Sequence, residues 1–183
     1  MNKLQKTILN LFAVVILFFS FSKVVGLSFS PMAAFKSKEK PLLYGPSEVV
    51  KIEDFNNDKY LLGKYDDWFS ATKIERIALV FWKANSFTYG IEINRDIAVN
   101  IQSYVEEDGE QVIYTYFGII NDDKIKKIIL TLNSGETLEI NEFYDDMFIE
   151  VNSVNSNFLH LEDYQFSIKA LDKNNKIIFE DRP

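Results

Sequence analysis

The side chains best suited to nucleophilic or metal chemistry are scarce in this sequence. His160 is the only histidine among 183 residues, and there is no cysteine. A histidine-based metal centre or a Ser-His-Asp triad would therefore depend entirely on His160. Because His160 alternates with Leu159 and Leu161, as in a strand with one apolar face, it is expected to face solvent. The acids Glu162 and Asp163 beside it do not change that interpretation, and we predict no catalytic role for it.

Acidic residues are abundant and could act as metal ligands or as paired catalytic carboxylates. Calcium prefers carboxylate and carbonyl oxygens from adjoining loops, and a glycosidase needs two carboxylates at a fixed separation. No acidic group here has the Asp-x-Asn-x-Asp-Gly spacing of a calcium loop, and no pair is singled out by the sequence. We therefore predict no catalytic, cofactor or metal site. The groups are Asp66-Asp67, Glu106-Glu107-Asp108, Asp122-Asp123 and Asp145-Asp146.

Aromatic residues could form a surface that contacts a sugar or a partner protein. The chain has 16 Phe, 9 Tyr and 2 Trp, and aromatics at strand spacing usually belong to a core. Trp68 is the best surface candidate because its neighbours indicate a loop. We predict a contact surface at Trp68, Phe69 and Tyr144, and a core role is expected for Trp82, Tyr114 and Tyr116.

The charge of the chain is strongly negative after its first forty residues. From Pro41 onward there are 14 Lys and Arg against 26 Asp and Glu, a net charge of −12. Such a field repels phosphate backbones, so we expect no nucleic-acid binding. The acidity suits solubility outside the cell, or a surface for cations or a basic partner. Without cysteine, stability must come from packing.

The N-terminal thirty residues have the pattern of a membrane-insertion segment. Lys3 and Lys6 precede an apolar run, as in an export signal. From Ile8 to Phe29 the run is 22 residues long, or about 33 Å as a helix, which is enough to span a bilayer. The short tail favours a cytoplasmic N-terminus with the remainder outside. The alternative is a cleaved signal peptide that ends near Ser22, which would release a secreted protein.

The rest of the chain reads as a tether and one β domain. Residues 31–41 are rich in lysine and predict a solvated linker. From residue 42 to residue 183 apolar residues recur mostly at period two between clusters of Asn, Asp and Gly. Ile77 to Trp82 is apolar at odd and even positions alike, which predicts a central strand buried on both faces. Phe87 to Ile93 predicts a strand with one buried face, and Asp67 to Glu75 a single helical turn.

Three turn signals predict three hairpins. Asp108-Gly109 lies between two β-rich runs, Asn133 to Glu136 between the next two, and Asp172 to Asn175 between the last two. We predict a mainly β fold, an antiparallel Ig-like sandwich of two sheets with about eight to ten strands, preceded by one hydrophobic helix. A barrel is the alternative.

Two phrases of the sequence carry a resemblance to known proteins. Tyr116 to Ile128 contains Tyr-Phe-Gly-Ile-Ile-Asn-Asp-Asp, and Ile168 to Phe179 contains Ala-Leu-Asp-Lys-Asn-Asn-Lys. Both resemble uncharacterised exported proteins of Gram-positive bacteria, in which such phrases form a strand, a turn and another strand. The resemblance implies a small cell-envelope β domain. It implies no catalytic residues.

These observations favour a non-enzymatic, membrane-tethered binding module outside the cytoplasm, with a protein as its partner and no cofactor. Two alternatives stay open. One is a carboxylate-dependent hydrolase acting on cell-wall or extracellular glycans, and the other is a structural or sensory ectodomain that transmits through its anchor.

Overall fold

A computed structural model of the chain describes residues 2–42, 44–84, 90–133, 135–155 and 166–181. Helix α1, Lys3–Val24, begins with a capping box between Asn2 and Gln5. It ends in a Schellman motif, in which Leu27 N donates to Ser22 O and Gly26, at φ +75°, takes the left-handed conformation. Ser22 is its one buried residue. Among the described residues, α1 is the one helix long and apolar enough to span a membrane.

The predicted span therefore ends earlier than expected, because Gly26 stops the helix before Phe29. A second helix, α2, covers Pro31–Glu39, with Ser30 as its N-cap and Pro31 in its first turn. A 3-10 turn, Lys40–Leu42, follows. The prediction of a solvated linker over residues 31–41 was wrong: Ala34 and Phe35 are fully buried, and so is the Glu39 carboxylate, which accepts from Ser47 N.

Twelve strands lie in the part of the chain that the structure describes, and they form three antiparallel sheets. We call these sheets A, B and C. Sheet A contains β1 (Glu48–Phe55), β2 (Asp58–Tyr65), β3 (Trp68–Ala78), β4 (Phe81–Ala84) and β5 (Ile91–Glu92), sheet B contains β6 (Val99–Asp108), β7 (Gln111–Ile120) and β10 (Met147–Asn155), and sheet C contains β8 (Lys127–Leu132), β9 (Thr137–Ile140), β11 (Phe166–Leu171) and β12 (Ile177–Asp181).

Sheet B is the middle layer, because its central strand β7 is apolar on both faces. Tyr114 and Tyr116 pack with sheet C, whereas Ile113 and Phe117 pack with sheet A. The other face of sheet A is covered by Phe35 of α2. The order of layers is therefore α2, sheet A, sheet B, sheet C. A mainly β, antiparallel fold with one N-terminal apolar helix is confirmed; three sheets replace the predicted two, and an Ig-like topology is not confirmed.

Glycine is required at one point of the middle layer. A Cβ on Gly118 would lie 2.2 Å from the carbonyl oxygen of Asn100 and 2.7 Å from the Phe148 ring. Phe148 is the cross-strand partner of Gly118 in β10. The aromatic ring thus covers the space that the missing side chain leaves in the sheet.

Two predicted elements were wrong. The strand Ile77 to Trp82 is instead the tip of the β3–β4 hairpin, and the doubly buried strand is β7. The stretch Asp67 to Glu75 forms β3 rather than a helical turn. In both cases the local apolar pattern was ambiguous, because the same run of β-formers suits a core strand, an edge or a hairpin tip. Of Phe87 to Ile93, residues 87–89 lie outside the described residues.

The three predicted hairpins are confirmed. They are β6–β7, β8–β9 and β11–β12. Their turns use residues with positive φ, namely Gly109, Gly135 and Asn175. In the last turn Asp172 Oδ1 accepts from Asn174 N and Lys176 N at 2.8 and 2.9 Å, and these backbone hydrogen bonds lower the pKa of Asp172.

Candidate functional site

A cleft of about 430 Å³ lies where the outer strands of the three sheets come together. In each sheet the strand order ends on that side with one strand: β1 in sheet A, β10 in sheet B and β9 in sheet C. The lining is mainly charged or polar. It includes Lys51 and Glu53 from β1, Glu139 from β9, Glu142 and Tyr144 from the β9–β10 connection, and Glu150 from β10.

Strand register explains why Lys51 and Glu53 face the cleft. In β1 they are two residues apart, and they pair with Leu62 and Tyr60 of β2, whose side chains pack toward sheet B. Residues that are paired across an antiparallel ladder share a face of the sheet. The ladder skips a residue between Val49 and Lys51, and such a bulge re-aims the side chains that follow it.

A chain of polar contacts holds one wall of the cleft. Lys51 Nζ donates to Tyr144 Oη at 2.9 Å and lies 3.4 Å from Glu53 Oε2. The same ammonium is 4.3 Å from the centre of the Tyr144 ring. Tyr144 Oη in turn donates to Glu142 Oε2. The hydrogen bond to Tyr144 raises the pKa of Lys51.

Glu150 differs from the other acids of the cleft. It is half-buried, and it makes no ion pair with any residue that the structure describes. Burial raises the pKa of Glu150, and the negative charge of Glu53 adds to the effect. Glu139, by contrast, is paired with Lys127 at 3.0 Å. A carboxylate in this position would gain from a cation that enters the cleft.

The arrangement favours a cationic organic group over a bare metal ion. Within the described ranges, no group of three or more acidic or histidine side chains is placed to hold a metal. Four glutamates line the cleft, and lysines pair with two of them: Lys51 with Glu53, and Lys127 with Glu139. An ammonium or guanidinium group could donate hydrogen bonds to individual carboxylates of the cleft lining.

The predicted contact surface divides among three environments. Tyr144 lines the cleft. Trp68 is 39% exposed, but it begins β3 opposite Tyr65 rather than lying in a loop, and it is not part of the cleft lining. Phe69 does not belong to a contact surface, because it is fully buried between sheets A and B against Phe117, with ring centres 5.8 Å apart. Alternation along β3 puts adjacent residues on opposite faces.

A second charged cluster lies between sheets A and B. Lys73 Nζ is 3.4 Å from Asp58, 4.0 Å from Glu75 and 3.5 Å from Glu106. The side chains of Lys73 and Glu106 are 6% and 8% exposed. Burial lowers the pKa of Lys73, but the three carboxylates outweigh it and the net change is a rise. The pKa of Glu106 is raised as well, chiefly by burial and also by the negative charges of Glu75 and Asp58, although Lys73 acts to lower it. We assign this cluster a structural role.

The other sequence candidates do not join the cleft as groups. His160 lies outside the described residues. The four acidic groups lie in or beside separate turns, and only Asp145 makes a contact near the cleft, 3.8 Å from Lys64. Sequence reasoning missed Glu53, Glu139 and Glu150. Their only local signal was an acid at alternate positions of a strand, which is typical of any solvated face.

No protein-family model matches the chain, and no curated protein or solved structure is similar to it.

Proposed function

We propose that this protein is a membrane-tethered binding module whose β domain lies outside the cytoplasm. The observation that carries the proposal is α1, in which apolar side chains stay exposed all round a 22-residue helix. An isolated helix of that kind is stable in a bilayer and unfavourable in water. The resemblance to exported proteins of Gram-positive bacteria agrees with this location.

An uncleaved anchor is favoured over a removable signal peptide. The C-terminal half of α1 contacts the folded domain, since the Phe18 ring lies 5.6 Å from Phe81 and the Phe19 ring 5.6 Å from Phe29. Ser22 is buried at the same junction. Cleavage near Ser22 would remove these contacts and leave Phe29 and Phe81 more exposed. Lys3 and Lys6, in the first two turns of α1, support a cytoplasmic N-terminus.

The partner that best fits the cleft is a basic segment of another protein. Glu53, Glu142 and Glu150 offer carboxylates from three segments of the chain, and Glu150 lacks an ion-pair partner among the described residues. The outer strands that form the cleft could also add an extended peptide by backbone pairing. Carboxylates would then select lysine or arginine at alternate positions of the added strand.

The tether is tested by fractionating cells that produce the full chain. We expect the protein in the membrane fraction after alkaline carbonate washing, and we expect external protease to digest the domain in intact cells. The mature protein should retain α1. A soluble extracellular protein that begins at Lys23 would replace the anchor with a cleaved signal, and an intact cytosolic protein would overturn the proposal.

Binding in the cleft is tested with an oligolysine peptide and the full chain in lipid nanodiscs. The variant Glu53→Gln/Glu150→Gln removes two charges from the cleft, and the control Glu107→Gln/Glu110→Gln removes two charges from an exposed turn. Exposed ion pairs contribute about 0.2–1 kcal/mol each, so we expect the cleft variant to bind roughly two- to thirtyfold more weakly and the control much less so. Equal losses of affinity in the two variants would mean that the peptide responds to the overall negative charge of the domain and not to the cleft.

A second candidate function is a carboxylate-dependent glycan hydrolase. The observation that favours it is the raised pKa of Glu150 beside Glu53, because such a pair can supply a general acid and a carboxylate. Incubation with purified cell-wall glycan should then release reducing ends, and Glu150→Gln should abolish the release. If the Glu150→Gln variant released reducing ends at an unchanged rate, Glu150 would not be the general acid.

A further inference from the structure

The tip of the β3–β4 hairpin is apolar although it is highly exposed. Leu79 is 85% exposed, Val80 55% and Ile77 50%. Leu79 and Val80 form the turn itself, where polar residues and glycine are usual. A contiguous exposed apolar patch on a domain with net charge −12 indicates a surface that something else covers.

This tip is attached to the end of α1. Ser28, four residues after the helix, forms a two-way backbone bridge with Trp82, and both hydrogen bonds are 2.8 Å long. The Phe81 ring lies 5.0 Å from Phe29 and 5.6 Å from Phe18. The apolar surface of the tip therefore continues directly into the apolar surface of the helix.

The position of Phe18 sets the depth of the tip. Phe18 precedes the last residue of α1, Val24, by six residues, or about 9 Å along the helix. Strand β4 runs from Phe81 back to Ala84, which is buried in the domain. Leu79 and Val80 are thus farther from the domain than Phe81. If α1 crosses a bilayer, its last turns place these residues at the level of the lipid.

Basic and aromatic side chains surround the base of the tip. Arg76 Nη2 donates to Leu79 O at 3.0 Å, and its guanidinium lies 5.5 Å from the centre of the Trp82 ring. Lys83 is exposed on β4, and Lys23 is exposed at the end of α1. Tryptophan with arginine and lysine is the combination that prefers the headgroup region. Here it occurs on an otherwise acidic domain.

We infer that the β3–β4 tip is a second membrane contact, which enters the leaflet on the domain side of the bilayer beside α1. This inference rests on the proposed tether. The occupant of the apolar patch is lipid rather than protein, because the patch is continuous with a lipid-facing helix and has a basic collar. Insertion by about 5–10 Å, typical of interfacial elements, would bury Leu79 and Val80 and leave Arg76 and Lys83 among the phosphates. Two contacts would fix the orientation of the domain on the membrane.

The test uses the absence of cysteine, which allows one nitroxide label per chain. Leu79→Cys reports the tip, Leu11→Cys the middle of α1, and Glu107→Cys an exposed position at the end of β6, in water. Each full-length variant is placed in nanodiscs that contain anionic lipid, and accessibility to oxygen and to a water-soluble nickel chelate is measured. We expect the label at residue 79 to resemble that at residue 11, with nickel accessibility several-fold below that at residue 107.

The outcomes separate the two proposals. A label at residue 79 that is as nickel-accessible as that at residue 107, while residue 11 is in lipid, overturns the inference and leaves the tether intact. Nickel access at residue 11 overturns both. Low access to oxygen and nickel alike at residue 79 indicates a protein contact, and it also overturns the inference.

Discussion

Two hairpins of this domain have tips of opposite chemistry. The β3–β4 tip consists of Ala78, Leu79 and Val80, whereas the β6–β7 tip consists of Asp108, Gly109 and Glu110. Both are exposed, and both close an antiparallel pair of strands. Exposure alone therefore does not explain which residues occur at a tip. We attribute the difference to different surroundings of the two tips. Water suits the acidic tip, and the apolar tip lies beside the helix that we propose to be in the membrane.

The two hairpins are nevertheless joined by a contact between their strands. Lys73 belongs to β3 and Glu106 to β6, and their side chains meet at 3.5 Å between sheets A and B. A buried ion pair costs desolvation on both sides, so it fixes how the two sheets are placed more than it adds to stability. The Lys73–Glu106 contact thus holds the two hairpins against each other although their tips differ in chemistry.

Replacing Lys73 with methionine should have the largest effect. Lys73→Met leaves Glu106 buried without its cation, which costs roughly 3–5 kcal/mol of the free energy of unfolding. Chemical denaturation of the full chain in detergent micelles measures this cost. Lys83→Met is the matched control, because Lys83 is exposed on the neighbouring strand, and it should change stability by less than about 0.5 kcal/mol. Equal effects would mean that the buried pair does not join the sheets.

The pH dependence of this variant follows from the pKa of Glu106. A carboxyl group with a raised folded-state pKa favours folding below its unfolded pKa and opposes folding as the pH rises through the folded value. Burial raises the pKa of Glu106 even with Lys73 present, and Lys73→Met must raise it further. The stability loss should therefore be largest near neutral pH and shrink toward about pH 4. A loss independent of pH would point to packing instead.

Helix α2 supports the apolar hairpin from the opposite face of sheet A, and Phe35→Ala tests that support. Phe35 is fully buried against Leu61, Ile74 and Ala84. Its truncation should cost roughly 3 kcal/mol, at the low end for phenylalanine because a single short helix can move to fill the cavity. Lys36→Ala, one residue on and exposed, is the control. A cost below about 1 kcal/mol would restore the view of residues 31–41 as a linker.

Local signals predicted much of this fold. The three hairpins could be located because Gly109, Gly135 and the Asp172 turn are marked by residues that tolerate positive φ. The order of the sheets could not be predicted, because it depends on pairings between distant strands such as β7 with β10 and β8 with β11. The burial of Phe35 likewise depends on sheet A offering a second apolar face.

The candidate cleft was less predictable still. The sequence offers Tyr144 as one aromatic of a contact surface, but its partner Lys51 is 93 residues away in the sequence. Glu53, Glu139 and Glu150 come from three different sheets. Only the stacking of those sheets makes one cleft of them. Phe69 and Trp68 were treated alike because adjacent positions look equivalent until the buried face of β3 is known.

Exchanging the chemistry of the apolar tip should have the smallest effect on stability. Leu79→Asp/Val80→Asn changes two exposed residues, so the free energy of unfolding in detergent should change by less than about 0.5 kcal/mol. The matched variant Asp108→Leu/Glu110→Leu makes the opposite change, because it replaces the two acidic residues of the β6–β7 tip with apolar ones. A loss above about 2 kcal/mol for the first variant would mean that Leu79 and Val80 pack within the protein, and the contrast between the tips would then reflect folding. If stability is unchanged, folding does not require apolar residues at this tip, and the cause lies in what surrounds it.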